Sequence, residues 1–144
     1  MLSHYYKSPS SKRINYLKFL YFSTIIAALS SFYIFTSIIT SIADAQNAAN
    51  STEINKLFKT ADTRYSQKKY DEAIKYYDKI LAINASEIDA LNHKGLSLWG
   101  LQKYGEPIQY FDQVLSINAS EVYAINNKAE ALSQMGKNEE ALQL

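Results

Sequence analysis

The sequence predicts an all-α fold of stacked helix-turn-helix units preceded by one long apolar helix. Residues 54–87 and 88–121 are two copies of one 34-residue unit, identical at 14 of 34 positions without a gap. Apolar residues recur at helical spacing within each copy. Residues 19–43 contain no charge, no proline and no glycine. A fixed period of this length is typical of a helical solenoid, in which each unit buries its apolar stripe against its neighbours.

These patterns divide the 144 residues into six predicted segments. They are a basic tail over 1–18, a transmembrane anchor or signal-peptide core over 19–43, a linker over 44–53, a first repeat over 54–87, a second over 88–121 and an incomplete third over 122–144.

The apolar segment predicts passage through a membrane. Phe19–Ala43 spans 25 residues, and at about 1.5 Å per residue a helix of that length crosses a hydrocarbon core of roughly 30 Å. Four basic residues precede the segment, and Asp44 is the first acid of the chain. The positive-inside rule then places the N-terminus in the cytoplasm and the repeats on the other side of the membrane.

Two fates of this segment stay open. Ala43, Asp44 and Ala45 form a small-x-small pattern, which predicts a signal peptide cleaved near Ala45 and a secreted product. The apolar run is longer than the usual signal core of about 7 to 15 residues, which favours a retained single-pass anchor. In both cases the repeats leave the cytoplasm, and the small polar residues after Ala45 predict a flexible linker.

Each position of the repeat has a mechanical reason. Leu57 and Ala61 lie one turn apart on the predicted buried face of helix A, the first helix of the unit, and Ala73 has the same role in helix B, the second. Small residues let paired helices approach closely. Tyr77 and Phe111 fill one large aromatic position of helix B in successive copies.

With Tyr70 and Tyr104 at the turn between the helices, residues 54–144 resemble the tetratricopeptide repeat family. The resemblance implies two full repeats and a truncated third. It also implies a concave groove lined by helix A residues, where an extended peptide or a partner helix binds.

The chain departs from the family pattern at three places. Ala85 and Ala119 replace the usual proline at the repeat boundary, so we expect Ser86 to cap the second helix A together with Asp89. Pro107 replaces a small residue, and we expect it in the first turn of helix B. The third copy stops inside its second helix, which predicts either self-association through an uncapped end or a longer, truncated protein.

The resemblance implies which residues face the groove. Whether Tyr65 and Trp99 bind a ligand or pack against the neighbouring helix A stays open. The family subgroup that grips a peptide carboxylate uses Lys, Arg and Asn, and the aligned Phe58, Asp62 and His93 imply that this clamp is absent. The predicted groove residues are Asn55, Phe58, Asp62, Tyr65, Asp89, Asn92, Leu96, Trp99, Tyr123, Asn126, Asn127 and Glu130.

Three sequons occur, at Asn50, Asn84 and Asn118. In an exported chain each is a candidate glycosylation site. Asn84 and Asn118 are copies at the repeat period, and a turn-and-cap role explains both of them. Asn50 has no such structural explanation and is the better glycan candidate.

Composition excludes several function classes. Residues 46–144 contain 11 Lys plus Arg and 13 Asp plus Glu, so no basic field predicts nucleic-acid binding. The chain has no cysteine, only two histidines and no Gly-rich phosphate loop. We therefore expect no enzymatic activity, no metal and no cofactor. The predicted function is a membrane-tethered or exported protein-interaction module; the alternative is the N-terminal substrate-binding or assembly arm of a larger enzyme or envelope-biogenesis protein.

Overall fold

The computed structural model describes the backbone of residues 11–144 and the side chains from residue 15 onward. His4 and most of the predicted basic tail lie outside this range. The described part contains no strand, which confirms the all-α prediction. Its helices are α1 (Ser11–Ser66), α2 (Tyr70–Ile83), α3 (Ile88–Gly100), α4 (Glu106–Ile117), α5 (Val122–Gln134) and α6 (Asn138–Ala141). The chain forms two compact units, one ending at Asn47 and one covering Ala48–Leu144.

The first unit consists of the apolar part of α1. Its large apolar side chains are exposed along the whole segment from Phe19 to Ile42. Hydroxyl groups bond back to the helix: Ser23 Oγ donates to the Leu20 carbonyl at 2.9 Å, and Thr36 Oγ1 donates to the Tyr33 carbonyl at 2.9 Å. Such bonds satisfy hydroxyls without water. By length and composition, this helix is apolar enough to cross a membrane.

The region expected to be a flexible linker is helical. Residues 44–53 all lie within α1. They contain Ala45, Ala48 and Ala49, and neither glycine nor proline. Alanine is the strongest helix former, so nothing in this stretch ends the helix. In this stretch, intrinsic helix propensity outweighs the small, polar composition that predicts a linker.

The second unit pairs its helices in chain order. The C-terminal part of α1 pairs with α2, then α3 with α4 and α5 with α6, as the two helices of three successive repeats. Ala61 and Ala73 are fully buried, and so are Tyr77 and Phe111, which confirms the predicted core positions. The core forms two clusters, one centred on Ala61, Ala73, Tyr77, Ile80 and Ala90 and one on Leu91, Phe111, Val114, Ala124 and Ala131.

Close helix contact requires Gly95. A Cβ atom at this position would lie 2.7 Å from Cε1 of Phe111, nearer than real Cβ atoms come. Helices α3 and α4 can therefore approach as they do only with glycine there. Pro107 is buried in the first turn of α4, as predicted, where its missing N–H leaves no helix hydrogen bond unmade.

The helix starts differ from the capping prediction. Helix α3 begins at Ile88 with Glu87 as its N-cap, and Ser86 makes no capping bond. Instead, the Ser86 N–H donates to Asn84 Oδ1 at 3.1 Å, and Asn84 Nδ2 donates to Glu87 Oε2 at 2.9 Å. The Ser120 N–H donates to Asn118 Oδ1 at 3.1 Å in the same way. The two asparagines form Asx turns because their side chains mimic the backbone.

Candidate protein-binding groove

Aromatic side chains fill the space between α1 and α3. The Tyr77 ring stacks on the His93 ring at 5.7 Å between centroids, and the Phe58 ring lies 6.2 Å from Tyr77. Tyr65 contacts Tyr70 edge-on at 5.4 Å and His93 at 6.2 Å. Rings at these separations attract one another beyond their burial. Two predicted groove residues of the first repeat, Phe58 and Tyr65, therefore contact the chain's own aromatic side chains.

A hydrogen bond fixes the centre of this aromatic group. The Tyr77 hydroxyl donates to Asp62 Oδ1 at 2.9 Å. Burial raises the pKa of Tyr77 well above its ordinary value, and the hydrogen bond to the Asp62 carboxylate raises it further. Tyr77 consequently stays protonated, which is the form that can donate.

Three predicted groove residues therefore serve packing. Phe58 and Tyr65 are half-buried against the first core cluster, and Asp62 accepts the Tyr77 bond. The Tyr65 ring also contacts His93 of the neighbouring helix A, α3. Trp99 is half-buried, and Asn55 is exposed on α1.

The space between α3 and α5 is open. It forms a cavity of about 380 Å³, and five of its lining residues were predicted for the groove. The sixth, His93, was not in the predicted set. It occupies the repeat position of Asn127, 34 residues later, and this equivalence was the available signal. The lining residues are Asp89, Asn92, His93, Leu96, Tyr123 and Asn127.

This cavity contains hydrogen-bond acceptors and one exposed aromatic ring. The Tyr123 side chain is 74% exposed. Asn92 is only 6% exposed, and its Oδ1 is buried without a hydrogen-bond partner among the described residues. His93 Nδ1 lies 2.8 Å from the main-chain carbonyl oxygen of Asp89, so the proton is on this nitrogen. Asn92 was predicted to face the groove, but the surrounding structure buries most of its side chain.

The remaining two predicted groove residues lie elsewhere. Asn126 and Glu130 line a different cavity of about 600 Å³, together with residues of α6. The Glu130 carboxylate accepts a hydrogen bond from Gln134 Nε2 at 3.0 Å. The third repeat therefore does not extend the α3–α5 cavity with these side chains.

A repeated ion pair joins successive repeats. Lys94 Nζ of α3 lies 2.5 Å from Asp78 Oδ1 of α2, and Lys128 Nζ of α5 lies 2.7 Å from Asp112 Oδ1 of α4. The two pairs are equivalent at the 34-residue period, since Asp78 and Asp112 occupy one repeat position and Lys94 and Lys128 another. Burial alone would lower the pKa of Lys94, but hydrogen bonds to Asp78 and Tyr110 outweigh it and raise the pKa above its ordinary value.

Within residues 15–144, no group of three or more His, Asp or Glu side chains could hold a metal ion. The cavity between α3 and α5 combines amides, one carboxylate and apolar surface. That set can bind a ligand through hydrogen bonds and ring contacts.

Comparison with known proteins assigns the repeats. The tetratricopeptide repeat model matches residues 57–87 and 88–121. Residues 57–121 are therefore tetratricopeptide repeats. No match was found among curated proteins.

Solved tetratricopeptide structures share the fold. MamA, as its D159K mutant, is similar with 26% identity and a TM-score of 0.57, over 62% of this chain and 50% of MamA. The Arabidopsis FLU domain has 25% identity and a TM-score of 0.59, over 65% and 89% of the two chains. The second tetratricopeptide domain of Spaghetti (RPAP3), bound to the HSP90 peptide SRMEEVD, has 21% identity and a TM-score of 0.61, over 66% and 90%. The chain thus spans half the length of the MamA structure.

Proposed function

We propose that this chain is a non-catalytic, membrane-tethered interaction module that binds an extended peptide of a partner protein across α3 and α5. The observation that carries the proposal is the open α3–α5 cavity beside an aromatic-filled α1–α3 space. A ligand has room in the first of these places, whereas aromatic side chains of the chain itself occupy the second.

The side chains of the cavity suit a peptide. Asn92 and Asn127 place amides on facing helices, where they can bond to the backbone of an extended chain. Tyr123 offers a largely exposed ring next to them, and exposed aromatic residues are common anchors of binding energy. The Spaghetti domain holds an acidic HSP90 peptide on the same fold, but at 21% identity that ligand does not transfer to this chain.

Peptide selection tests this proposal. The full chain in detergent micelles would be panned against a random-peptide phage library, and the selected peptides would be measured by fluorescence anisotropy. We expect Tyr123→Ala to weaken binding about tenfold or more, as loss of an anchor residue does. Val122→Ala is the matched control, because Val122 is an exposed neighbour on α5 that does not line the cavity. Equal binding by both variants would contradict the proposed site.

We propose further that Phe19–Ala43 is retained as the anchor, with the N-terminus in the cytoplasm and the repeats outside. Support comes from its 25 uncharged residues, its exposed apolar side chains and the basic residues before it. Intact mass of a C-terminally tagged chain from alkali-washed membranes tests retention. A product starting near Gln46 would show cleavage instead, and protease protection of the repeats in sealed vesicles would test orientation.

A further inference from the structure

The side chains that line the α3–α5 cavity indicate which ligand chemistry it prefers, and this inference rests on the proposed function. We propose that it is selective for an arginine side chain of the bound peptide. The guanidinium would donate to Asn92 Oδ1 and to the Asp89 carboxylate and stack on the Tyr123 ring. Four observations support this choice of ligand.

The first observation is an acceptor without a donor. Asn92 Oδ1 is buried and has no hydrogen-bond partner within the described part of the chain, and Asn92 lines the cavity. Buried polar atoms of folded proteins are almost always paired, because an unpaired one loses its bonds to water and gains nothing. A donor entering the cavity would restore that bond.

The second observation is the charge of the cavity. Its lining includes the Asp89 carboxylate and no lysine or arginine. No described cation lies within ion-pair distance of Asp89. The other two acids predicted for the groove already accept hydrogen bonds, Asp62 from Tyr77 and Glu130 from Gln134. Asp89 is therefore the carboxylate available to a positively charged ligand.

The third observation is the exposed ring. Tyr123 lies on α5 across from Asp89 and Asn92 on α3, and both helices contribute to one cavity. A guanidinium is planar, stacks on aromatic faces and carries five donors. One arginine can therefore donate to both Asp89 and Asn92 while it stacks on the Tyr123 ring. A lysine ammonium is a compact charge and covers less of a ring, so arginine is preferred to lysine.

The fourth observation concerns His93. Its Nδ1 donates to the Asp89 main-chain carbonyl oxygen, so this donor is already paired. The cavity therefore presents acceptors on the α3 side and would disfavour a carboxylate. This is the opposite charge preference to that of the carboxylate clamp, which the aligned residues of this chain lack.

Exchanges in the peptide test the inference. A peptide selected by the full chain in micelles would be remade with its arginine changed to lysine, glutamine or glutamate, and the affinities measured by fluorescence anisotropy. We expect the arginine peptide to bind about tenfold more tightly than the glutamine peptide, since hydrogen bonds to charged groups are the stronger ones. Asp89→Asn should remove most of that difference. Asp71→Asn is the control, because it removes an equal charge from the start of α2.

A second variant separates recognition from folding. Asn92→Leu replaces the unpaired amide by an apolar group of similar size, so the urea midpoint should rise while the preference for arginine falls. If Asn92 has only a structural role, Asn92→Leu will leave the peptide preference unchanged.

The outcomes distinguish the two proposals. Selected peptides that lack arginine, or an arginine preference untouched by Asp89→Asn, would overturn this inference. The proposed function would survive in that case if Tyr123→Ala still weakened binding. If no peptide is selected at all, both proposals fail.

Discussion

Two neighbouring spaces of the array, built from the same repeat, are filled in different ways. Between α1 and α3, five rings pack together, with Tyr77 stacked on His93 at 5.7 Å. Between α3 and α5, a cavity of about 380 Å³ remains, with the Asn92 amide at the position that Phe58 occupies one repeat earlier. An amide has less volume than a phenyl ring and cannot fill the space. Side-chain size at two repeat positions, Phe58/Asn92 and His93/Asn127, therefore distinguishes the filled space from the open one.

The comparison also separates stability from binding. Tyr77 contributes its ring, its burial and a hydrogen bond to the closed space. Tyr123 contributes an exposed ring to the open one. We therefore expect substitutions in the first space to change the free energy of unfolding and those in the second to change ligand affinity.

The largest expected effect is that of Tyr77→Ala. It should lower the free energy of unfolding by about 3–5 kcal/mol, as loss of a buried aromatic side chain does. Tyr123→Ala should change it by less than about 0.5 kcal/mol, because its side chain is largely exposed. Urea unfolding of the full chain in micelles, followed by fluorescence of Trp99, the single tryptophan, would measure both. Similar losses for the two variants would contradict the expectation that only the α1–α3 space contributes strongly to stability.

A smaller effect is expected from Tyr77→Phe, which keeps the ring and removes the bond to Asp62. We expect a loss of about 1 kcal/mol at neutral pH. The substitution should also change the response to alkali. Because the pKa of Tyr77 is raised above the ordinary value of 10.0, its contribution is complete below about pH 10 and is lost as the pH rises through the folded-state pKa.

Urea midpoints between pH 8 and pH 11 would check this sign. The native chain should lose stability above about pH 10, and Tyr77→Phe should lose less over the same range. Lys94, whose pKa is also raised, contributes in the same direction, so some alkaline loss should persist in the variant. An unchanged alkaline slope would show that Tyr77 does not titrate with unfolding.

The smallest expected effect concerns the repeated ion pairs, which join α2 to α3 and α4 to α5. Double-mutant cycles on Lys94 with Asp78 and on Lys128 with Asp112 should each give a coupling of about 0.2–1 kcal/mol, because the carboxylates are half exposed. Lys94→Ala alone should cost slightly more than Lys128→Ala, since the Lys94 ammonium also lies 4.5 Å from the Tyr110 ring centroid. Both couplings should weaken in 1 M salt. A coupling in only one pair would show that the two ion pairs, although equivalent in the repeat, do not contribute equally to stability.

The helical pairs could be predicted from the sequence because their signals are local or repeated. The 34-residue period, the small residues at Ala61 and Ala73 and the first-turn Pro107 each follow from spacing along one helix. The prediction of a flexible linker over residues 44–53 was wrong because polar composition and helix propensity conflict there.

The turn geometry shows what sequence could not indicate. Lys68, Gln102 and Gly136 stand 34 residues apart, and all three have positive φ, of 59°, 62° and 77°. Glycine takes this conformation readily, whereas lysine and glutamine give no indication of it. The position of the turn was predictable, but the left-handed residue within it was not.

The fold class, the repeat period and the set of helix A positions from which a groove could be built follow from the sequence alone, because each depends on a pattern of period 3.6 or 34. Which of those positions are open depends on how the helices pack against one another. Asn92 became buried, His93 joined the cavity and Tyr65 packed on its neighbour because helix rotation brings together side chains that lie far apart in the chain. Packing between repeats, rather than the pattern within one repeat, determines where this protein has room for a ligand.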